Sequence, residues 1–303
     1  MKEQRINFTG SNTAILSQDR VREAAWIHYV ELTKPRLLLM VLLSTAVGFC
    51  MAPSGRWMDF ALTVLATAFV GGGAMALNQY LECESDAQMT RTQNRPIPAG
   101  LISPARALFF GLVTSLSGFL LFAVFLNWLS AFFALATSVI YLAAYTPLKK
   151  RSSLATFVGA VSGALPPLVG WSAAGGNLDG GAISLFLILF FWQLPHFLSI
   201  DWMYRADHAR AGFRTLSVID PAGDMVARQM VVNMSALFCV SLLPTIFGLA
   251  SGTYFFGAFL LGIGFSAAIV FALPNLNERA RYVLRASIFY LALILVLMVS
   301  NKL

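Results

Sequence analysis

Apolar runs of about twenty residues recur along nearly the whole chain, separated by short polar stretches. A run of that length is what an α-helix needs to cross the hydrocarbon core of a bilayer. The pattern predicts nine such helices, at about 35–52, 60–81, 104–126, 128–146, 155–174, 182–203, 230–250, 254–273 and 283–301. The runs are continuously apolar rather than alternating, which argues against a transmembrane β-barrel. The expected fold is all-α: a polytopic membrane protein, with one membrane domain over residues 1–303 and a polar segment of roughly 30 residues ahead of helix 1.

Composition agrees. Hydrophobic residues make up 58% of the 303 residues and charged residues 12%, where a soluble domain carries about 25% charged residues. Mean hydropathy is +0.72. The three cysteines, Cys50, Cys83 and Cys239, have neither metal-ligand nor disulfide spacing and read as apolar packing. The first 30 or so residues lack the apolar core of a cleavable signal peptide.

Charge sets an orientation. Of the 21 Lys and Arg, all but Arg56 and Lys302 fall in the amino-terminal segment or in the gaps after helices 2, 4, 6 and 8. The positive-inside rule then predicts a cytoplasmic amino terminus and an outer carboxyl terminus, in a bacterial inner membrane. Topology also accounts for most of the net charge of +7, so no nucleic acid is needed to explain it.

The unusual polar residues fall into three clusters, all on the predicted cytoplasmic side. Asn78, Glu82 and Asp86 follow helix 2 at four-residue spacing, so they form one stripe on a helix, and Arg91 and Arg95 come next. Tyr145, Thr146, Lys149, Lys150 and Arg151 follow helix 4, and His196, Asp201, Tyr204, Arg205, Asp207, His208 and Arg210 close helix 6. Ionisable groups at membrane depth are costly unless they face a cavity or a partner. Acidic stripes facing each other would repel, and Mg²⁺ resolves this because it bridges one or two carboxylates to substrate phosphates. Arg91, Arg95, Lys149 and Arg205 would meet the remaining phosphate charge. The pattern predicts a diphosphate–Mg²⁺ site in a central cavity open to the cytoplasm, with the substrate's apolar tail between helices.

The block from Asn78 through Glu82, Asp86 and Arg91 to Arg95-Pro96 resembles the first acidic motif of the UbiA-type intramembrane prenyltransferases. Trp192-Gln193-Leu194-Pro195-His196, Tyr204-Arg205-Ala206-Asp207 and Pro166-Pro167-Leu168-Val169-Gly170-Trp171 resemble the haem-farnesylating branch of that family, as do Thr33-Lys34-Pro35-Arg36, Tyr145-Thr146-Pro147 and Arg285-Ala286-Ser287. Gln93 stands where the family pattern has Lys. The resemblance implies farnesyl transfer from farnesyl diphosphate to a vinyl group of haem B, with hydration. It implies one Mg²⁺ on Asn78, Glu82 and Asp86 and a second on Asp207, with Asp201 a further candidate ligand. Arg91, Arg95, Lys149, Lys150 and Arg205 are the expected diphosphate contacts, Tyr145 and Tyr204 the aromatic faces for the allylic cation. His196 is a candidate haem contact, and Lys34, Arg36 and Arg285 are candidate propionate partners. The implied partners are membrane lipid and a downstream haem-modifying enzyme or terminal oxidase assembly.

Two other readings compete. A related prenyltransferase with a quinone-precursor or chlorophyll-type acceptor would share the acidic motif. A secondary transporter would place its carboxylates near mid-membrane within inverted repeats, whereas here they sit at one edge.

Overall fold

A computed structural model describes residues 26–303, so the basic residues Lys2, Arg5, Arg20 and Arg22 lie outside the described residues. Among the described residues every extended element is helical, and the only strand-like pairing is an isolated bridge between Ala250 and Lys302. The chain opens with α1 (Trp26–Leu32) and α2 (Pro35–Met51), bent by 54° against each other. Long helices α3 (Trp57–Leu81), α5 (Pro104–Phe125), α6 (Trp128–Val139) and α10 (Gly180–Met203) follow the predicted runs closely. Six helical stretches are long and apolar enough to cross a membrane, or seven if the bent pair is one span.

Prolines explain where the helices break. The fifth predicted run divides into α8 (Ala155–Ala164) and α9 (Pro166–Ala173), because Pro166 lacks an N–H and its ring clashes with the preceding turn. The seventh run divides into α13 (Asp224–Val240) and α14 (Leu243–Ile246), with Pro244 in the short piece. Between α15 (Gly252–Ala272) and α16 (Leu276–Ser300) the chain turns through Pro274 and doubles back. The Phe265 and Tyr290 rings then lie 5.3 Å apart, and Gly257 abuts Leu297. Gly71-Gly72-Gly73 does not break α3, but Gly73 lets α5 approach, since a Cβ there would lie 2.3 Å from Ser115 Oγ.

One large apolar core joins α2, α3, α6, α9, α10, α13, α15 and α16. Big apolar side chains such as Phe109, Trp128, Phe256 and Phe289 are exposed on the outside, as a bilayer-facing surface requires. Cys50 and Cys239 are exposed as well, rather than packed inside as the sequence suggests. At one end Lys302 Nζ caps the carboxyl end of α2, donating to the Cys50 and Ala52 carbonyls at 2.8 and 2.6 Å. The start of α2 and the carboxyl ends of α3, α6 and α10 meet at the opposite end, where the polar residues gather.

Candidate active site

Short connecting elements carry the polar clusters at that end: α4 (Cys83–Gln88), a π-turn at Ile140–Tyr145, α7 (Thr146–Leu148), α11 (Arg205–Arg210) and α12 (Leu216–Ile219). Glu82 is a junction between α3 and α4, yet the four-residue ladder survives it. The Glu82 amide donates to the Asn78 carbonyl at 3.0 Å and the Asp86 amide to the Glu82 carbonyl at 2.8 Å. The predicted stripe therefore holds, and all three residues are buried, with Asp86 at 0% exposure.

Each stripe residue meets a cation. Arg95 Nη1 donates to Asp86 Oδ2 at 2.6 Å, and Lys149 Nζ donates to Glu82 Oε1 at 2.7 Å. Lys34 Nζ donates to Asn78 Oδ1 at 2.7 Å, while Asn78 Nδ2 donates to Thr146 Oγ1 at 3.0 Å. Burial pushes the Glu82 carboxyl up, but the Lys149 and Lys34 charges outweigh it and hold the group below the ordinary value. Burial works against the Lys149 ammonium too, and Tyr145 and Glu82 beside it reverse that and raise it.

Lys34 is the informative surprise. The resemblance offers it as a propionate partner, and the structure places its ammonium on the acidic stripe. It has φ 48°, a left-handed backbone rare for a residue with a side chain. That turn, together with Pro35, makes the break between α1 and α2 and aims the ammonium at Asn78. Thr146, a member of the second polar cluster with no role of its own in the sequence reading, joins the site through Asn78. Its hydroxyl accepts from Asn78 and donates to the Tyr141 carbonyl at 2.8 Å. The π-turn stacks Tyr141 on Tyr145, with ring centroids 5.7 Å apart, and the Lys149 ammonium lies 4.4 Å from the Tyr145 centroid. Gly159 of α8 makes room for this ring, because a Cβ there would lie 2.7 Å from it.

Other candidates divide. Asp207 joins the site: its Oδ2 accepts the Arg91 amide at 3.3 Å and its Oδ1 accepts from Arg210. Arg210 also donates to Thr90 at 2.8 Å, and Arg91 lies over the Tyr204 ring at 5.1 Å. Arg205 points elsewhere, donating to Trp202 O and to Asn277 Oδ1 and stacking on Trp202. Asp201 is not beside the stripe either: its Oδ1 is 2.7 Å from His208 Nδ1 and its Oδ2 accepts the Ser217 amide at 3.1 Å. Lys150 and Arg36 are exposed and make no side-chain bond among the described residues. His196 lies deeper in α10, against Trp192 and Ser287. A groove of about 470 Å³, lined by Tyr29, Arg106, Phe109 and Phe110 between α1 and α5, contains none of these groups.

The residues fit a divalent cation. Among the described residues no three His, Cys, Asp or Glu side chains form a closed metal cage. Mg²⁺ does not need one: it commonly takes one or two carboxylates and shares the rest of its shell with water and phosphate. Asp86 Oδ1 is the decisive atom, because it is buried and has no hydrogen-bond partner among the described residues. A lone carboxylate oxygen of that kind is costly unless something positive reaches it.

Apolar helices of membrane-spanning length with a buried acid–base cluster at one end define an integral membrane protein with its polar residues gathered at that end of the helices. The model of the UbiA prenyltransferase family matches residues 41–298, and the chain belongs to that family. It is 42% identical to the protoheme IX farnesyltransferase of Solibacter usitatus over 90% of this chain and 98% of that protein. It is 40% identical to the protoheme IX farnesyltransferase of Opitutus terrae, over 95% and 99% of the two chains. Its fold matches a solved digeranylgeranylglyceryl phosphate synthase with a TM-score of 0.77 at 18% identity, covering 91% of this chain and 98% of that one. A UbiA homologue from Archaeoglobus fulgidus, solved with DMAPP and Mg²⁺, matches with a TM-score of 0.67 at 17% identity, covering 90% and 98%.

Proposed function

We propose that this enzyme transfers the farnesyl group of farnesyl diphosphate to a vinyl group of haem B, with hydration, to give haem O. The observation that carries the diphosphate half is Asp86, a fully buried carboxylate with one oxygen on Arg95 and the other unpartnered among the described residues. The haem half rests on the two nearly full-length relatives that bear that activity in their names.

Asp86, Glu82 and Asn78 would hold Mg²⁺, with Asp207 toward a second ion. When bound, the metal neutralises diphosphate charge and makes it a competent leaving group. Lys34, Lys149 and Arg95 each hold a stripe residue now and are placed to turn to the diphosphate when cation and substrate enter. Arg91, whose backbone amide donates to Asp207 and whose guanidinium lies over Tyr204, is a further diphosphate contact in this reading. Fixed cations aimed at the leaving group stabilise charge as it develops. The stacked Tyr141 and Tyr145 rings offer π faces to the allylic cation beyond the diphosphate. Arg205, Lys150, Arg36 and Asp201 have no part in this constellation.

In this reading nine helices span the inner membrane, counting α8 with α9, α13 with α14, and α15 and α16 separately. The cavity and the amino terminus face the cytoplasm. Maleimide labelling of single cysteines at Lys150 and Arg56 should occur from opposite sides, and labelling from one side would overturn the orientation.

The direct test is purified protein with haem B, farnesyl diphosphate and Mg²⁺, analysed by mass spectrometry. Farnesylated haem that vanishes with chelator is the expected result. Prenylation of a hydroxybenzoate with none of haem would keep the diphosphate site and reject the haem acceptor.

A further inference from the structure

His196 sits seven residues before the end of α10, about 10 Å inward along the helix. Trp192, one turn earlier on the same face, stacks on its ring at 4.8 Å and donates its indole N–H to the Ser287 carbonyl at 2.7 Å. Gln193, beside them, reaches the Leu189 carbonyl at 3.0 Å and packs against Gly163 of α8, one turn from the Gly159 that receives Tyr145. Position 196 thus lies between the aromatic side of the interior and α16.

The hydrogen bonds to Ser287 constrain the imidazole. Ser287 is 0% exposed on the inward face of α16. Its Oγ is 2.7 Å from the Leu284 carbonyl and 2.8 Å from His196 Nδ1. A carbonyl oxygen only accepts, so the one hydroxyl proton goes to Leu284. Oγ must then accept at its other contact, and His196 must carry its proton on Nδ1. The opposite assignment would give up the Leu284 bond inside a buried interface. His196 Nε2 then has a free lone pair, and it has no partner among the described residues.

We propose that Ser287 is a positioning residue that fixes His196 as its Nδ1–H tautomer, so that Nε2 serves as base for the water that completes the hydroxyethylfarnesyl group. This rests on the haem acceptor proposed above. The C1–O bond of farnesyl diphosphate breaks, and diphosphate leaves with the electron pair. The terminal vinyl carbon bonds to C1, which leaves the positive charge on the vinyl carbon next to the macrocycle. The oxygen of water bonds there and its proton passes to Nε2. Without an oriented base the same cation loses a proton from the adjacent methylene, giving an alkene one water lighter in mass. Tautomer selection by the bond on the far ring nitrogen is a general device for histidine bases.

The test is the ratio of alcohol to alkene product by mass spectrometry, with wild type, Ser287→Ala and Ser287→Thr. Ser287→Ala should lower the ratio on the order of tenfold, less than the roughly 10²-fold or more that full general-base assistance supplies, because His196 itself remains. The KM for farnesyl diphosphate should stay unchanged, and Ser287→Thr should restore the ratio. A helix-packing role would change yield without changing the ratio, so an unchanged ratio in Ser287→Ala overturns the proposal. Should that variant fail to fold, ¹³C/¹⁵N histidine NMR of wild type decides, with His28→Gln and His208→Gln for assignment. A proton on Nδ1 is expected, and a proton on Nε2 overturns the proposal. Prenylation of hydroxybenzoate in place of haem by wild type would overturn the haem reading itself, a separate and recognisable outcome.

Discussion

Asp86 and Asp201 are both buried carboxylates at the same end of the helix bundle, and each lies close to a helix end. Their surroundings differ in what they leave open. Asp86 has Arg95 on one oxygen and, among the described residues, nothing on the other. Asp201 has both oxygens taken, by His208 Nδ1 and the Ser217 amide, and its own carbonyl accepts the Ser217 hydroxyl at 3.0 Å. The first is an open site that a cation can complete. The second is a closed latch that ties α11 and α12 back onto α10. A carboxylate's role here follows from its unfilled valence rather than from its burial.

The largest effect should come from Asp86. Asp86→Ala removes the open oxygen and leaves Arg95 without its partner, so turnover should fall on the order of 10³-fold or more. The variant should still elute as a folded species in detergent. Retained activity would remove the distinction between the two carboxylates. Asp207→Asn should be milder, on the order of 10–100-fold in kcat, because Asp207 already bonds to Arg210 and the Arg91 amide. Its Mg²⁺ titration should shift to higher concentration; an unshifted titration would place Asp207 with the latch.

Lys149→Met tests the site through stability. Both partners are largely buried, and removing one leaves Glu82 short of a countercharge, at a cost on the order of 3 kcal/mol. The pH dependence has a definite sign. Glu82 is held below its ordinary value, so its stabilising contribution is present above the unfolded carboxylate value and is lost as pH falls through the lower folded one. In Lys149→Met the countercharge weakens, the folded value rises, and the loss on the acid side should begin at higher pH. Thermal unfolding in detergent across pH 4–7 would show it. Identical profiles for wild type and variant would mean that Lys149 does not set the Glu82 charge.

The sequence allowed much of this to be read, and the remainder follows from physical features it conceals. Hydropathy placed α3, α5, α6 and α10 because runs near twenty residues respond to one dominant force. The Asn78–Asp86 stripe was visible because four-residue spacing is a property of the helix itself, and the ladder runs unbroken through Glu82. The place of Lys34 at the stripe is not legible, because its reach to Asn78, 44 positions away, depends on a left-handed backbone that no local pattern announces. The contacts of Arg205 are hidden for a related reason. Spacing placed it near the acids, but the turn at Tyr204 sends it to Asn277, 72 residues away. Long-range pairings of this kind are set by packing, and only the folded chain shows them.

Asp201→Asn is the smallest and most discriminating change. An Asn oxygen can still accept the Ser217 amide, while the charge-assisted contact with His208 is lost. That should destabilise the protein by about 1–2 kcal/mol. The loop would loosen without losing any group that touches the diphosphate, so kcat should change within a few-fold and the Mg²⁺ concentration for half-maximal rate should not move. If Asp201 were instead a metal ligand, that concentration would rise as it does for Asp207→Asn, while stability changed little. The two readings therefore predict opposite pairings of stability and metal dependence. Measured together, thermal unfolding and a Mg²⁺ titration of this one variant separate a latch from a ligand.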